Sequence, residues 1–204
     1  MKFPISGLYA ITQTAGKSIA VVLAEVEAAL KGGAQVIQYR DKTPVDVFYL
    51  GRSLVKLCHD YHVPLLVNDD PELALAVGAD GVHLGKDDCD IEQARQRLGR
   101  EAIIGVSCYN DIKRAIAMQA KGADYVAFGR FFSSNSKPLA APAEIATLQQ
   151  AKLAITIPIV AIGGILPENG GQLLDSGADL LAVIGGVFDD EPEAAAHAYQ
   201  ALFN

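Results

Sequence analysis

Eight short β-type runs that alternate with helical segments, and a Gly-Ala-Asp phrase recurring ahead of three of those runs, together predict an α/β fold: a single-domain (β/α)8 TIM barrel over residues 1–204. The β-type runs fall at 8–12, 36–40, 65–68, 81–85, 103–107, 125–129, 159–163 and 180–185. Segments of helical periodicity lie between them at 19–31, 45–60, 91–98, 112–120 and 144–154, with 193–202 after the eighth run. Gly-Ala-Asp stands at 78–80, 122–124 and 177–179, and the related Gly33-Ala34-Gln35 precedes the second run. Glycine at such a point is the expected helix stop, because it accepts positive φ. An open doubly wound sheet is the structural alternative, but it needs only about five strands.

Composition bounds the function before any motif is read. Half of the residues are hydrophobic and a fifth are charged, a globular balance. Apolar runs are interrupted well before the length that spans a bilayer, so no membrane partner is expected. Met1 to Ser6 leads straight into the first β-type run, so no signal peptide is expected. Cys58, Cys89 and Cys108 follow no metal or disulfide spacing, which points to reduced thiols and a cytoplasmic location. A formal net charge of −7 argues against a nonspecific nucleic-acid binder. Against that acidity, Arg40, Lys42 and Lys137 read as a dedicated anion site.

In this fold the chemistry sits where strands end and loops begin. Along a strand at 36–40, Gln38 and Arg40 share one face and Ile37 and Tyr39 the other, with Lys42 following on the first face. Charge there is costly unless an anion meets it, and a substrate phosphate is the natural partner. After the third run come Asn68 and Asp69; Asp70-Pro71 is a helix start, an N-cap followed by Pro. The fourth run leads to Asp88, and Asp69 with Asp88 on adjacent loops suits one Mg²⁺ completed by water and phosphate oxygens. Gly81, His83 and Gly85 face inward; His83 reads as a hydrogen-bonded structural histidine at least as well as a catalytic one. Ser107 ends the fifth run as a ligand hydroxyl or cap, with Asn110 better placed to cap the helix at 112–120. The loop Ser133-Ser134-Asn135-Ser136-Lys137-Pro138 follows the sixth run and reads as a lid bearing hydroxyls and one cation. Glycine turns at Gly163-Gly164 and Gly185-Gly186 lie where barrels of this kind cradle phosphate, a second anion site.

Taken together, the motifs resemble the thiamine phosphate synthase family over nearly the whole chain. The likeness rests on Gln38 to Lys42, Asn68-Asp69-Asp70, Gly81 to Gly85 with Asp88, Gly105-Val106-Ser107, Ser136-Lys137 and Gly163-Gly164-Ile165. It implies a transferase that joins a hydroxymethylpyrimidine diphosphate to a thiazole phosphate (a carboxylated form included) and releases pyrophosphate. On the same resemblance, Gln38, Tyr39, Arg40, Asp41, Lys42, Asn68, Ser107 and Lys137 would hold the pyrimidine diphosphate. Arg40, Lys42 and Lys137 would stabilise the leaving group. Ser134, Asn135, Ser136, Gly164, Ile184 and Gly185 would hold the thiazole phosphate, and Asp69 and Asp88 the Mg²⁺. The chain departs from the usual family pattern with serines for threonines at 134 and 136, Tyr109 for a frequent His, Gly185 for a frequent Ser, and Pro138 after Lys137.

Two other readings stay open from sequence. A thiazole tautomerase shares the barrel but requires a general acid or base near the thiazole, and a non-catalytic binder of thiamine precursors would keep the ligand residues without turnover. Oligomeric state is open as well, a homodimer included.

Overall fold

The computed structural model describes residues 1–42, 46–85, 88–133 and 142–204. Its strands are β1 (Gly7–Ile11), β2 (Val36–Tyr39), β3 (Leu65–Asn68), β4 (Gly81–Leu84), β5 (Ile103–Tyr109), β6 (Tyr125–Gly129), β7 (Ile159–Ile162) and β8 (Leu180–Val183). They pair in chain order, all parallel, and β8 returns to β1 to close a (β/α)8 barrel. The helices are α1 (Ile19–Lys31), α2 (Val47–Asp60), α3 (Pro71–Val77), α4 (Ile91–Leu98), α5 (Ile112–Ala120), α6 (Ile145–Ala154), α7 (Pro167–Asp175), α8 (Gly185–Phe188) and α9 (Pro192–Gln200). No described helix is long and apolar enough to cross a membrane.

Strand alternation divides the apolar residues into two cores. Tyr9, Ile11, Val36, Leu66, Tyr125 and Val160 fill the barrel interior. Leu8, Ile37, Tyr39, Leu65, Val67 and Val126 point outward and pack under the helices. A third cluster, including Val82, Leu84, Ile104 and Val106, covers the outside of β4 and β5, leaving His83 on the inward face as expected.

The expected boundaries need several corrections. Helix α7 has no strong helical signal, because Asn169, Gly170 and Gly171 are weak helix formers. Packing overrides that weakness: a Cβ at Gly170 would lie 2.8 Å from Leu181 Cδ1, so its bareness lets α7 lie close against β8. The eighth strand stops at Val183, and the glycine turn after it opens the short helix α8. The fifth strand runs on to Tyr109 past a register shift. Asp111, rather than Asn110, caps α5 by accepting from Arg114 N–H at 3.0 Å. Asn110 instead accepts from Glu144 N–H at 3.0 Å and from the Thr147 hydroxyl at 2.6 Å, anchoring the start of α6. The second helix starts at Val47 with Asp46 as its cap, and the expected start at Val45 lies outside the described residues.

The Gly-Ala-Asp repeat has a use beyond stopping helices. Gly78, Gly122 and Gly177 take positive φ. Each following Asp then reaches sideways to an N–H at the start of the preceding strand, on its first residue in β3 and β7 and on its second in β5. Asp80 accepts from Leu65 N–H at 2.9 Å, Asp124 from Ile104 N–H at 2.7 Å, and Asp179 from Ile159 N–H at 2.9 Å. Each carboxylate also meets a basic side chain: His59, Arg95 or Lys152 respectively. These clamps tie β3, β5 and β7 to their neighbours at the amino end of the barrel. Asp80 is the most enclosed of them, with its side chain only 7% exposed. Asp80→Ala should leave the Leu65 N–H without an acceptor and lower stability by about 1–3 kcal/mol in urea unfolding. Activity of the folded fraction should be unchanged, because the clamp lies at the end of the barrel away from the site.

Candidate active site

The carboxyl end of the barrel collects the polar residues, starting with β2. Gln38 is 3% exposed and projects inward, its amide Nε2 donating to the Tyr9 hydroxyl at 2.7 Å. Arg40 follows, half-buried, with its backbone held at both ends by one side chain. The Thr12 hydroxyl donates to Arg40 C=O at 3.0 Å and accepts from Arg40 N–H at 2.9 Å, extending the β1–β2 pairing past the last strand residue. Asp41 accepts from the Thr14 hydroxyl at 2.8 Å, which joins the loops after β1 and β2. Tyr39 is 2% exposed among the outer core residues, so the structure does not bring it to the site. Strand β2 ends at Tyr39; alternation therefore does not govern Lys42, which is exposed.

Two carboxylates converge on Gly85. Asp69 sits at φ +62°, a left-handed conformation that Asp tolerates better than most residues. Its backbone is held by a 2.8 Å bond to His83 C=O, and Asn68 Nδ2 donates to its carboxylate at 2.6 Å. Asp88 accepts from Gly85 N–H. A Cβ placed on Gly85 would lie 2.8 Å from Asp88 Oδ2 and 3.8 Å from Asp69 Oδ1, so the glycine leaves the space between these oxygens clear. Among the described residues no group of three or more His, Cys, Asp and Glu side chains is arranged to hold a metal. Two carboxylates on one side of a cation suit Mg²⁺, which keeps several waters and takes substrate phosphate oxygens.

Behind these groups, His83 bridges the barrel. Its Nδ1 lies 2.8 Å from the Tyr125 hydroxyl and its Nε2 2.9 Å from Ser107 Oγ. Tyr125 in turn lies 2.8 Å from the Tyr9 hydroxyl. Burial raises the pKa of both phenols well above the ordinary value, so both keep their protons. Gly105 makes the arrangement sterically possible: a Cβ there would sit 1.8 Å from Tyr125 Cζ. The tyrosines carry no sequence signal of their own, since aromatic residues on strands are ordinary core. Arg114 was equally hidden. From α5 it donates to Ser107 C=O at 2.9 Å and Gly85 C=O at 3.3 Å, fixing the ends of β4 and β5 together.

On the far side, the loops after β6 and β7 run side by side. Phe131 N–H donates to Ile162 C=O at 3.2 Å and Phe132 N–H to Gly163 C=O at 3.0 Å. Gly164, at φ +62°, approaches so closely that a Cβ would lie 2.3 Å from Ser133 C=O. Arg130 stands half-buried at the start of the first loop, a cation at the same end of the barrel that the motifs did not single out. Ser134, Asn135, Ser136 and Lys137 lie outside the described residues. Ile184 and Gly185 open α8, whose first N–H groups have no helical acceptor. A Cβ at Gly185 would lie 2.5 Å from Asp189 Oδ2, so the bare glycine lets the Asp189 carboxylate fold back over the start of α8.

A closed (β/α)8 barrel with carboxylates and cations at its carboxyl end has its polar groups where enzymes of this fold build their active sites. The model of the family described as thiamine monophosphate synthase matches residues 8–187. Thiamine-phosphate synthase of Nitrosococcus oceani is 50% identical over 206 residues, covering 100% of this chain and 95% of that protein. That of Marinobacter nauticus is 49% identical, covering 97% and 90%. The solved structure of thiamine phosphate pyrophosphorylase from Pyrococcus furiosus superposes with a TM-score of 0.86 at 34% identity, covering 96% of this chain and 94% of that one. The chain belongs to the thiamine monophosphate synthase family.

Gly85→Ala places a methyl group against the Asp88 carboxylate, with Asp69 close behind. Mg²⁺ affinity, read by calorimetry in the presence of pyrophosphate, should fall at least about tenfold, the scale of a lost metal-orienting contact. Thermal stability should change little by comparison.

Proposed function

We propose that this chain is a thiamine-phosphate synthase in which departure of pyrophosphate, rather than proton abstraction, drives the condensation. In the reaction the methylene C–O bond of hydroxymethylpyrimidine diphosphate breaks and pyrophosphate carries off the electron pair. The thiazole ring nitrogen then gives its lone pair to the methylene carbon, forming the C–N bond of thiamine phosphate. That nitrogen bears no proton, so no base is needed.

The observation that carries this reading is the state of His83. Both of its ring nitrogens are engaged with protein hydroxyls, so it is not poised to take a proton from a substrate. This favours a synthase over a tautomerase, which requires such a group. Arg40 and Lys42 supply positive charge where the leaving group gathers negative charge, and Thr12 holds the Arg40 backbone for that task. Lys137 adds a third cation by its match to the family motif. Asn68 and Ser107 line the pyrimidine side, and Gly164, Ile184 and Gly185 the thiazole phosphate side, together with residues 134–136. Asp69 and Asp88 would hold Mg²⁺, which when bound neutralises diphosphate charge.

Purified protein given both substrates should form thiamine phosphate and pyrophosphate with Mg²⁺ and not with EDTA. Absence of Mg²⁺-dependent product would sink the synthase reading, and ligand binding without turnover would support a sequestering role instead. In Lys137→Ala, kcat should fall by a factor of about 100 or more, the scale of removing one transition-state charge contact. Affinity for thiazole phosphate should change far less; equal losses would mean that Lys137 serves thiazole binding.

A further inference from the structure

One continuous hydrogen-bonded chain crosses the otherwise apolar barrel interior. It runs from Gln38 on β2 to Tyr9 on β1 at 2.7 Å, then to Tyr125 on β6 at 2.8 Å, to His83 on β4 at 2.8 Å, and to Ser107 on β5 at 2.9 Å. Its two ends are the residues assigned above to the pyrimidine side of the site. The three groups between them have no place in the reaction as written.

Proton bookkeeping fixes the direction of this chain. The amide Nε2 of Gln38 can only donate, so the Tyr9 oxygen accepts. Tyr9 is 1% exposed, and a buried donor left unspent is costly. Among the described residues its hydroxyl has one further partner, Tyr125, so Tyr9 donates there. Tyr125 then donates to His83 Nδ1, which requires a lone pair on that nitrogen. The neutral imidazole therefore carries its hydrogen on Nε2 and gives it to Ser107 Oγ, leaving the Ser107 proton for a ligand. At the other end, Gln38 has spent one of its two N–H groups on Tyr9, and that orientation turns Oε1 away from Tyr9 as an acceptor. The ends are coupled, because turning the Gln38 amide over would reverse every bond and make Ser107 an acceptor.

We propose that Tyr9, Tyr125 and His83 are positioning residues that set an acceptor at Gln38 and a donor at Ser107, and so select an amino- over an oxo-pyrimidine diphosphate. An aminopyrimidine offers an exocyclic N–H donor and a ring-nitrogen acceptor, the complement of that pair. The oxo analogue replaces the N–H donor with a carbonyl acceptor and adds a ring N–H, which reverses the match. A site built to pair a given donor discriminates strongly against an analogue that lacks it. The proposal rests on the proposed function and on the family resemblance that sets Gln38 and Ser107 against the pyrimidine.

Two measurements test it without relying on turnover. Two-bond ¹H–¹⁵N correlation NMR of ¹⁵N-labelled wild-type protein at neutral pH should show His83 as the neutral Nε2–H tautomer. An Nδ1–H tautomer or an imidazolium would overturn the proposal. Calorimetric titration with the amino- and oxo-pyrimidine diphosphates should show wild-type preference for the amino form. That preference should drop at least about tenfold in Tyr125→Phe, which keeps the ring and removes only the hydroxyl. Tyr9→Phe breaks the same chain one step nearer Gln38 and should give the same loss, so the test does not hang on one variant's folding. Unchanged preference in a folded variant would overturn the proposal. Protein that keeps the preference yet forms no thiamine phosphate would overturn the synthase reading alone.

Discussion

The hydrogen bond between the Tyr9 and Tyr125 hydroxyls, sealed inside the barrel at 2.8 Å, is the contact on which the polar interior depends. A closed parallel barrel has no edge, and here an apolar interior packs around these hydroxyls, so each needs a partner from another strand. Tyr125 supplies that connection for four strands at once. Its ring stacks on Phe3 with centroids 4.0 Å apart and passes over Gly105, while its hydroxyl meets both Tyr9 and His83. Without the bare Gly105 the ring could not lie there, and His83 would lose the hydroxyl on its Nδ1.

The same residue type performs opposite tasks at the two ends of the barrel. At the amino end, Asp80, Asp124 and Asp179 each accept a strand N–H and meet a basic side chain, which ties neighbouring strands together. At the carboxyl end, Asp69 and Asp88 flank the open space at Gly85, and Asp69 is held at φ +62° to do so. Sparsely populated backbone conformations persist where surrounding contacts enforce them, and they concentrate at functional sites. Here the enforcing contacts are the bond to His83 C=O and the Asn68 amide. With the site proposed at the carboxyl end, stability and chemistry are separated along the barrel axis, and Arg40 and Lys42 are the cations proposed to serve it in an acidic chain.

The chemistry proposed for the site follows from what is occupied as much as from what is present. A histidine at a barrel mouth invites an acid–base role, yet His83 spends both nitrogens on Tyr125 and Ser107. A reaction driven by leaving-group charge needs cations and carboxylates rather than a base, and those are the groups that line the mouth.

The sequence by itself determined the barrel, its strand order and the end at which the polar residues gather. Those features follow from local periodicity, from glycines that need positive φ, and from the alternation that turns Gln38 inward and Ile37 outward. It did not determine α7, whose Asn169-Gly170-Gly171 stretch is helical because Gly170 packs against β8. Nor did it show the bond from the Thr14 hydroxyl to Asp41, which joins two loops across 27 residues of sequence. Tyr39 sits inside the motif that identifies the site but faces the outer core, since adjacent strand residues point in opposite directions. Only tertiary structure decided that Tyr9, Tyr125 and His83 form one chain between Gln38 and Ser107. Those hydrogen bonds join residues 24 to 116 positions apart, and no local pattern records which distant strands a closed barrel will bring face to face.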